Sequence, residues 1–247
     1  MNEIVKTIRE KYLETLDRIA GAAKKAGRDP GSVKLVVVTK SQPVEIVRAA
    51  MEAGAKILGE NYPEEGVMKI QSLAEFSAVE WHMIGHVQSR KAQLVAANFG
   101  FLHSLDNLKL AKKLDRFCGE AGRKLPTLLE FNVGGEESKG GWPAWDETLW
   151  SELSAELNEV FALSNINVRG LMAMPPLGEN AEFSRSYFRK VKRLQEYLSA
   201  QFPQVGFSEL SMGTSTDYEV AVEEGATFVR VGTAIVGARQ YHQMEPE

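Results

Sequence analysis

Residues 33–40 read Val-Lys-Leu-Val-Val-Val-Thr-Lys, a short run rich in β-branched residues. A nearly continuous apolar run of this length is typical of a strand that is covered on both faces, as in a parallel sheet. Side chains alternate along a strand, so Val36, Val38 and Lys40 share one face. Lys40 therefore ends an apolar strand face.

Helical and strand patterns alternate on both sides of this run. The first 26 residues are predicted to form a helix, because apolar residues recur at steps of three and four, and Gly27 ends it. The predicted strands are 33–40, 56–59, 80–85, 101–105, 127–133, 168–174, 209–212 and 227–232. The predicted helices that separate them are 44–53, 64–76, 91–98, 108–121, 145–164, 181–202 and 218–224.

Eight strands that alternate with helices predict an α/β fold with parallel strands. Within about 250 residues this is the size of a (β/α)8 TIM barrel, here with an extra N-terminal helix and residues 1–247 in a single domain. A doubly wound open sheet is the competing architecture. No Gly-x-Gly-x-x-Gly follows the first strand, so the usual dinucleotide fingerprint is absent.

The composition excludes several classes of protein. Hydrophobic residues make up 44% and charged residues 25% of 247, which excludes a disordered or disulfide-stapled chain. The net charge of −4 predicts no binding to nucleic acid or to an anionic membrane. The N-terminus lacks an apolar signal segment and no run approaches about 18 apolar residues, which predicts a cytoplasmic protein. No exposed apolar stripe stands out, so we expect a monomer.

The C-terminal ends of barrel strands carry function, which directs attention to Lys40. A lysine desolvated in the barrel mouth would have a lowered pKa, and its free amine could form an imine. A lysine that reaches out to solvent at a strand end is the commoner arrangement, and Lys40 alone does not exclude it.

The last predicted strand adds a second candidate, because Arg230 shares a face with Phe228 and Gly232 while two valines take the other face. A guanidinium inside the barrel needs a partner, either a structural carboxylate or a ligand. The Gly232-Thr233 turn that follows offers backbone N–H groups and a hydroxyl, which together are typical of a phosphate cradle.

Residues 211–217 read Ser-Met-Gly-Thr-Ser-Thr-Asp and follow the seventh predicted strand. Hydroxyl side chains before a helix could form an ordinary N-cap. Barrels also bind phosphate at the loops after strands 7 and 8, so these residues could complete the cradle. Asn61, at the end of the second strand, could hydrogen-bond a ligand or close a turn. His82 and His86 are four apart, but a strand running into a loop would not bring them together, so we expect no metal site.

Six blocks of the chain, spread over residues 33–237, resemble the pyridoxal-phosphate homeostasis protein family. The match is specific because all six occur in the same order. The blocks are Val-Val-Val-Thr-Lys40, Gly59-Glu60-Asn61-Tyr62, Trp81-His82-Met83-Ile84-Gly85-His86-Val87-Gln88, Arg169-Gly170-Leu171-Met172-Ala173-Met174-Pro175, Ser211-Met212-Gly213-Thr214-Ser215-Thr216-Asp217 and Arg230-Val231-Gly232-Thr233-Ala234-Ile235-Val236-Gly237.

The resemblance implies a single-domain barrel of the alanine-racemase type (the fold type III of enzymes that use pyridoxal phosphate) that lacks the second domain. Lys40 would hold pyridoxal 5′-phosphate as an internal aldimine, and Arg230 would face the pyridine nitrogen. The phosphate would sit on Ser211 or Ser215 and on the backbone and hydroxyl of Gly232-Thr233. The other cofactor contacts that the resemblance implies are Asn61, His82 and Met212. The chain departs from the family pattern at Thr214, usually Met, at Val236, commonly Phe, and at Arg90, usually Asn.

The family function implied by the resemblance is cofactor homeostasis: buffering pyridoxal 5′-phosphate and handing it to apo-enzymes, without catalytic turnover. An amino-acid racemase that uses Lys40 as one base is the alternative, and Tyr62, Tyr218 or His82 would then supply the other base. A class I aldolase that forms an imine with a sugar phosphate is a second enzymatic possibility. A purely structural role leaves the lysine and the arginine unexplained.

Overall fold

The computed structural model describes residues 2–238. Its strands are β1 (Lys34–Val38), β2 (Ile57–Glu60), β3 (Glu80–Met83), β4 (Phe101–Leu105), β5 (Leu125–Asn132), β6 (Trp142–Pro143), β7 (Ile166–Ala173), β8 (Glu209–Ser211) and β9 (Phe228–Val231). All strand pairs are parallel. The first strand pairs with β2 through Val37↔Leu58 and with β9 through Lys34↔Phe228, and β4 pairs with β5.

These pairings close an eight-stranded parallel barrel, which confirms the predicted TIM barrel and excludes the open sheet. The two-residue strand β6 pairs only with β5 and stands outside the ring of eight. It has no counterpart among the predicted strands, because two residues are too few to carry a periodic signal.

Helices cover the outside of the barrel, except for the last and shortest one, which lies at the C-terminal ends of the strands. They are α1 (Glu3–Lys25), α2 (Val44–Glu52), α3 (Pro63–Ser72), α4 (Ala92–Asn98), α5 (Leu108–Glu120), α6 (Ser154–Phe161), α7 (Arg185–Gln201), α8 (Tyr218–Glu223) and α9 (Thr233–Val236). The predicted helix 145–164 divides into a 3₁₀ helix, Glu147–Leu153, and α6, and the predicted helix 181–202 begins with a 3₁₀ turn, Ala181–Ser184. No helix of the described residues 2–238 is long and apolar enough to cross a membrane.

Two apolar layers hold the barrel together. The inner layer is small and consists of Val36, Ile84, Leu128, Met172 and Phe228, all buried, which fill the barrel. The alternate residues of the same strands face the helices in a much larger outer core. Close packing inside fixes which strand positions can project into the mouth.

The alternation predicted for the first and last strands is confirmed. Val36 and Phe228 lie in the inner layer, whereas Val37, Val229 and Val231 lie in the outer core. Lys40 and Arg230 therefore reach the same end of the barrel from strands that are hydrogen-bonded neighbours.

The N-terminal helix α1 is fastened to the outside wall at α8. Arg28, three residues beyond the end of α1, donates from Nη1 to the carbonyl oxygen of Val222 in α8 at 2.5 Å and from Nη2 to that of Ala226, just after α8, at 2.8 Å. Lys25 pairs with Glu223 at 2.7 Å. Since α8 directly follows the loop that carries Ser215, the extra helix supports one wall of the mouth.

Candidate functional site

A cavity of about 300 Å³ opens at the C-terminal ends of the strands. This volume is at the lower end of the range for small-molecule sites. Apolar side chains, two cations and several hydroxyl groups line this cavity. The lining residues are Val38, Lys40, Gln42, Asn61, Ile84, Met174, Leu177, Thr214, Ser215, Thr216, Arg230, Gly232, Thr233, Val236 and Gly237.

The turn that carries Lys40 is fixed on both sides. Ser41 has φ +56°, the single left-handed conformation among non-glycine residues of the described chain. The N–H of Ser41 donates to Glu65 Oε1 at 2.7 Å. On the other side, Thr39 donates from Oγ1 to Glu60 Oε1 at 2.6 Å. The backbone on either side of Lys40 is therefore tied to two carboxylates.

Lys69 joins these two carboxylates beneath the turn. Its ammonium donates to the carbonyl oxygen of Thr39 at 2.7 Å, to Glu60 Oε1 at 2.8 Å and to Glu65 Oε1 at 2.6 Å. Lys69 and Glu60 are both fully buried. Burial raises the pKa of Glu60, and the adjacent Lys69 ammonium opposes that rise. The Lys69 cluster, comprising Lys69, Glu60, Glu65 and Thr39, is thus a buried charge network that orients the Lys40 turn.

Arg230 projects from β9 into the bottom of the cavity and is 4% exposed. It donates from Nη1 to Ser211 Oγ at 2.5 Å and from Nη2 to the carbonyl oxygen of Ala173 at 3.1 Å. Desolvation lowers its pKa to about 10, although the charges of Glu130 and Asp217 oppose the change. The guanidinium therefore keeps its positive charge at neutral pH and acts only as a donor.

Ser215 and the Gly232-Thr233 turn meet at one edge of the cavity. The N–H of Gly232 donates to Ser215 Oγ at 3.3 Å. A Cβ at Gly232 would lie 3.2 Å from the carbonyl oxygen of Val38, so the turn packs tightly against the end of β1. Thr233 starts the short helix α9. The N–H groups of Ile235 and Val236 donate to the carbonyl oxygen of Gly232, which leaves those of Thr233 and Ala234 without a hydrogen-bond acceptor among the described residues. Hydroxyl and N–H donors are therefore gathered where an anionic group would be held.

Asn61 follows β2 and lines the opposite side of the cavity. Its Oδ1 is buried and accepts no hydrogen bond from the described residues, which is costly unless a ligand supplies a donor. The turn is packed against Gly85, where an added Cβ would lie 2.4 Å from the carbonyl oxygen of Asn61. The glycine thus permits the close approach that places Asn61 at the rim.

A second group of titratable residues lies at the same end of the barrel, next to β4 and β5. Glu130 is two residues beyond the inner-layer residue Leu128, and desolvation together with the charge of Asp106 raises its pKa to about 7. Burial also raises the pKa of Asp106, which contacts His86 Nδ1 at 2.8 Å. This side therefore carries carboxylates that bind protons more readily than exposed ones.

The structure brings together at the mouth six of the nine residues predicted as cofactor contacts. These are Lys40, Asn61, Ser215, Arg230, Gly232 and Thr233. The side chains of Ser211, His82 and Met212 do not line the cavity. Ser211 lies behind Arg230 as its hydrogen-bond acceptor, and His82 hydrogen-bonds inside the barrel to His103. Met212 packs in the outer core, because alternation from Ser211 turns it away from the barrel axis.

Two departures from the family pattern are part of the site. Thr214 and Val236 both line the cavity, so they change its polarity and shape. Thr214 is fixed by Asp217 Oδ1, which accepts from its N–H at 2.7 Å. Arg90 does not line the cavity; it donates from Nε to Gln88 Oε1 at 2.9 Å.

The Lys69 cluster, Glu130 and His103 were not predicted from the sequence. Lys69 lies on a helix face where a lysine ordinarily reaches solvent, and no local pattern reveals two buried carboxylates beside it. Glu130 could have been found by counting two positions on from Leu128 along the inward face of its strand. His103 could have been found in the same way.

The remaining candidates have structural partners. His82 and His86 do not converge, since His86 pairs with Asp106. Within residues 2–238 no group of three or more His, Cys, Asp or Glu side chains could hold a metal ion. The lone cysteine, Cys118, is buried, and burial raises the pKa of its thiol, which disfavours the reactive thiolate.

Comparison with known proteins identifies relatives over nearly the whole chain. The family model "Alanine racemase, N-terminal domain" matches residues 15–240. The "Pyridoxal phosphate homeostasis protein" of Vibrio alginolyticus is 40% identical over 220 residues, which cover 88% of this chain and 91% of that protein. The protein of the same name from Aquifex aeolicus is 39% identical over 233 residues, which cover 94% and 98%.

Solved structures agree with this result. The structure of PipY from Synechococcus elongatus with pyridoxal phosphate bound has a TM-score of 0.77 and 36% identity, and the match covers 89% of this chain and all of that chain. An alanine racemase from Clostridium difficile has a TM-score of 0.67 at 15% identity and shares the fold alone. The chain therefore belongs to the family of pyridoxal phosphate homeostasis proteins, which is built on the alanine racemase N-terminal domain.

Proposed function

We propose that this protein binds pyridoxal 5′-phosphate at the barrel mouth and serves to buffer and deliver it, without catalytic turnover. The observation that carries the proposal is that an amine, a guanidinium and a cluster of hydroxyl and N–H donors line one cavity. Lys40, Arg230 and Ser215 supply the three kinds of group. The naming of the relatives and the cofactor bound to PipY support the same conclusion. We further propose the cytoplasm as the place of action and apo-enzymes as transient recipients.

The donor set suits the chemistry of this cofactor. An aldehyde requires an amine, and the Lys40 turn is held rigidly by the Lys69 cluster. A phosphate requires hydroxyl and N–H donors, which Ser215 and Thr233 provide at the cavity edge. Asn61 Oδ1, buried without a donor from residues 2–238, would gain a partner when the cavity is filled. The residues present therefore fit the group.

Lys40 and Arg230 would have different roles in binding the cofactor. Lys40 would hold the cofactor covalently through its Nζ. Arg230 would donate a hydrogen bond to the ring nitrogen and keep its own proton, because its pKa of about 10 lies well above neutrality. Bound pyridoxal phosphate acts as an electron sink in enzymes, and a ring nitrogen paired with arginine rather than a carboxylic acid makes that sink weaker.

A racemase would need a second acid or base at the mouth, and the three tyrosine and histidine candidates do not line the cavity. His82 is fully buried, and Tyr218 is buried, with the Arg18 guanidinium 5.6 Å from its ring centroid. Tyr62 is 56% exposed and precedes α3. Their placement supports the non-catalytic proposal over the racemase alternative.

The test begins with an absorption spectrum of the purified protein incubated with pyridoxal 5′-phosphate. Borohydride reduction and peptide mapping should then find the pyridoxyl adduct on the peptide that contains Lys40. The Lys40→Ala variant should show neither the spectrum nor the adduct. Lys34→Ala is the matched control, because Lys34 starts the same strand at the opposite end of the barrel. A wild-type protein that stays colourless and carries no pyridoxyl adduct after reduction would refute the proposal.

Turnover is tested on the loaded protein. Amino acids should be racemised, transaminated or decarboxylated no faster than by the same concentration of free cofactor. Robust turnover that disappears in Lys40→Ala would establish an enzyme instead. A colourless protein that forms a borohydride-trapped imine with a sugar phosphate would indicate the aldolase alternative.

A further inference from the structure

A continuous chain of hydrogen bonds runs through the barrel from one end to the other. Arg230 Nη1 is 2.5 Å from Ser211 Oγ, which is 2.8 Å from His103 Nδ1. His103 Nε2 is 2.9 Å from His82 Nδ1, and His82 Nε2 is 3.2 Å from Glu80 Oε2. Glu80 starts β3 at the N-terminal end of the barrel, which we call the floor, and its side chain is 68% exposed. The chain therefore links the floor to the guanidinium at the mouth.

The upper end of the chain fixes the direction of its hydrogen bonds. Arg230 can only donate, so Ser211 Oγ accepts from it. Among the partners that the structure describes, the hydroxyl hydrogen of Ser211 then has one acceptor, His103 Nδ1. A neutral His103 with an unprotonated Nδ1 carries its hydrogen on Nε2 and donates it to His82 Nδ1.

The lower end leads independently to the same arrangement. The hydrogen bond to His82 lowers the pKa of Glu80, so this carboxylate is ionised at neutral pH and can only accept. His82 must therefore donate from Nε2, which leaves its Nδ1 free to accept from His103. Both ends require the hydrogen on Nε2 of each histidine, and every donor in the chain meets an acceptor.

The surroundings keep the two rings neutral and in place. Both histidines are fully buried, and desolvation is the main cause that lowers their pKa values. Phe101 stacks on His82 with ring centroids 4.9 Å apart, and Phe228 lies 5.1 Å from His103. The positive charge of Lys34 further disfavours protonation of both rings. Hydrogen bonds are stronger in such a dry interior, and reversing one would leave a buried group unsatisfied.

We propose that Glu80 is a positioning residue for Arg230, acting through His82, His103 and Ser211 by setting the direction of this hydrogen-bond chain. The acidic acceptor at the floor keeps both histidines in one tautomer. His103 Nδ1 then accepts the Ser211 hydroxyl hydrogen, which holds the Ser211 oxygen oriented to accept from the guanidinium. The effect on cofactor binding rests on the proposed function. The tautomers themselves do not, because they are set in the protein without a ligand.

The first experiment measures the tautomers by long-range ¹H–¹⁵N correlation of the histidine rings in ligand-free protein. His82 and His103 should both show a protonated Nε2 and an unprotonated Nδ1. Glu80→Lys replaces the acceptor by a donor and should shift both rings toward the Nδ1-protonated form. Glu80→Gln keeps an acceptor and should preserve the wild-type pattern. A protonated Nδ1 on His103 of the wild-type protein would overturn the proposal.

The matched control is Glu209→Lys. Glu209 starts β8 at the same floor and pairs with Lys34 at 2.8 Å, outside the chain. The substitution makes the same change of charge at the same end of the barrel. It should leave both tautomers unchanged, and an equal shift in the two lysine variants would show a general field effect and refute the specific role of Glu80.

The second experiment measures the dissociation constant and absorption maximum of bound pyridoxal 5′-phosphate. Ser211→Ala removes the acceptor of a charge-assisted hydrogen bond and should weaken binding by roughly tenfold. Glu80→Lys should weaken binding in the same direction and shift the absorption maximum in the same sense. In the Ser211→Ala background, Glu80→Lys should add no more than Glu209→Lys does, because the path is already broken.

The two experiments separate the two proposals. If the protein binds no pyridoxal phosphate, the proposed function fails and the tautomers alone decide the inference. If the cofactor binds and Glu80→Lys affects neither tautomers nor binding beyond the Glu209→Lys control, the positioning role is refuted. Additive effects of Glu80→Lys and Ser211→Ala on the dissociation constant would refute it as well.

Discussion

Lys69 illustrates how a single side chain can support a site without lining its cavity. It is fully buried and donates to two carboxylates and one carbonyl oxygen under the Lys40 turn. Three hydrogen bonds exhaust its donors. The second oxygen of Glu60, Oε2, is buried without a hydrogen-bond partner among the described residues. A buried ion pair of this kind adds little over an apolar substitute of equal shape, but removal of one partner leaves the other charge stranded.

We therefore predict that Lys69→Met lowers the free energy of unfolding by about 3–5 kcal/mol. The loss arises because the fully buried Glu60 keeps its desolvation cost and loses its cation. Urea denaturation followed by circular dichroism measures it. Lys25→Met is the control, since Lys25 pairs with Glu223 at the surface and should cost about 0–1 kcal/mol. Equal losses in both variants would contradict the role of the buried cluster.

Glu130 gives a pH-dependent prediction. Its pKa rises from 4.5 in the unfolded chain to about 7 in the folded protein, chiefly through desolvation. The folded state then binds the proton more tightly, so this group reduces stability as pH rises from about 4.5 to about 7. We predict that Glu130→Gln removes a decline of up to roughly 3 kcal/mol over that window.

The measurement is urea unfolding of wild type and variant at several pH values. The difference between the two curves isolates Glu130 from the other titrating groups. Glu152→Gln, at an exposed position, serves as the control and should leave the shape of the curve unchanged. Parallel curves for wild type and Glu130→Gln would show that the carboxylate titrates as it does in the unfolded chain.

At the scale of elements, strand periodicity identified the two side chains that matter most. Alternation along the predicted strands 33–40 and 227–232 placed Lys40 and Arg230 on inward faces, and the barrel order made those strands neighbours. The observed β1 ends at Val38, and Lys40 lies in the turn that follows it. The height of each inward side chain along the barrel axis was harder to predict. His82 is on the inward face of β3, but Ile84, two residues on, is the one that reaches the cavity. Inward residues stack in layers, so a correct face does not by itself bring a residue to the mouth.

The contacts between distant elements were beyond sequence patterns. The Lys69 cluster joins the ends of β1 and β2 to α3, and the histidine chain joins β3, β4, β8 and β9. Each of these hydrogen bonds depends on the register between strands. Closure of the barrel sets that register, whereas local periodicity does not. The resemblance to a family supplied residue roles, but it did not separate Ser211, behind Arg230, from Ser215, at the cavity edge.

Replacement of a glycine by alanine is expected to have opposite effects on stability at two positions. An added Cβ at Gly85 would lie 2.4 Å from the backbone oxygen of Asn61, whereas at Gly21, inside α1, it would meet nothing within 4 Å. We predict that Gly85→Ala displaces the Asn61 turn, destabilises the protein and weakens cofactor binding. Gly21→Ala should stabilise it by about 0.5–1 kcal/mol, since alanine favours a helix interior. Thermal denaturation and cofactor titration test both, and unchanged binding in Gly85→Ala would contradict the prediction.

For the whole molecule, closure makes the two halves of the chain depend on one another. Register pairs Lys34 with Phe228, and Lys25 of α1 pairs with Glu223 of α8. We therefore predict one cooperative unfolding transition, coincident by circular dichroism and tryptophan fluorescence, as the single-domain prediction for residues 1–247 requires. Two separated transitions would show that part of the barrel folds alone.

The pairing of β1 with β9 also sets the order of events during synthesis. Lys40 leaves the ribosome early, but its strand has no partner on one side until residues 228–231 emerge. The amine and the guanidinium therefore meet only after nearly two hundred further residues have been added, as the interval from 40 to 230 requires. A nascent or truncated chain that lacks β9 has no assembled pocket. A chain that binds pyridoxal phosphate at this site would therefore be one in which the final strand has already been synthesised.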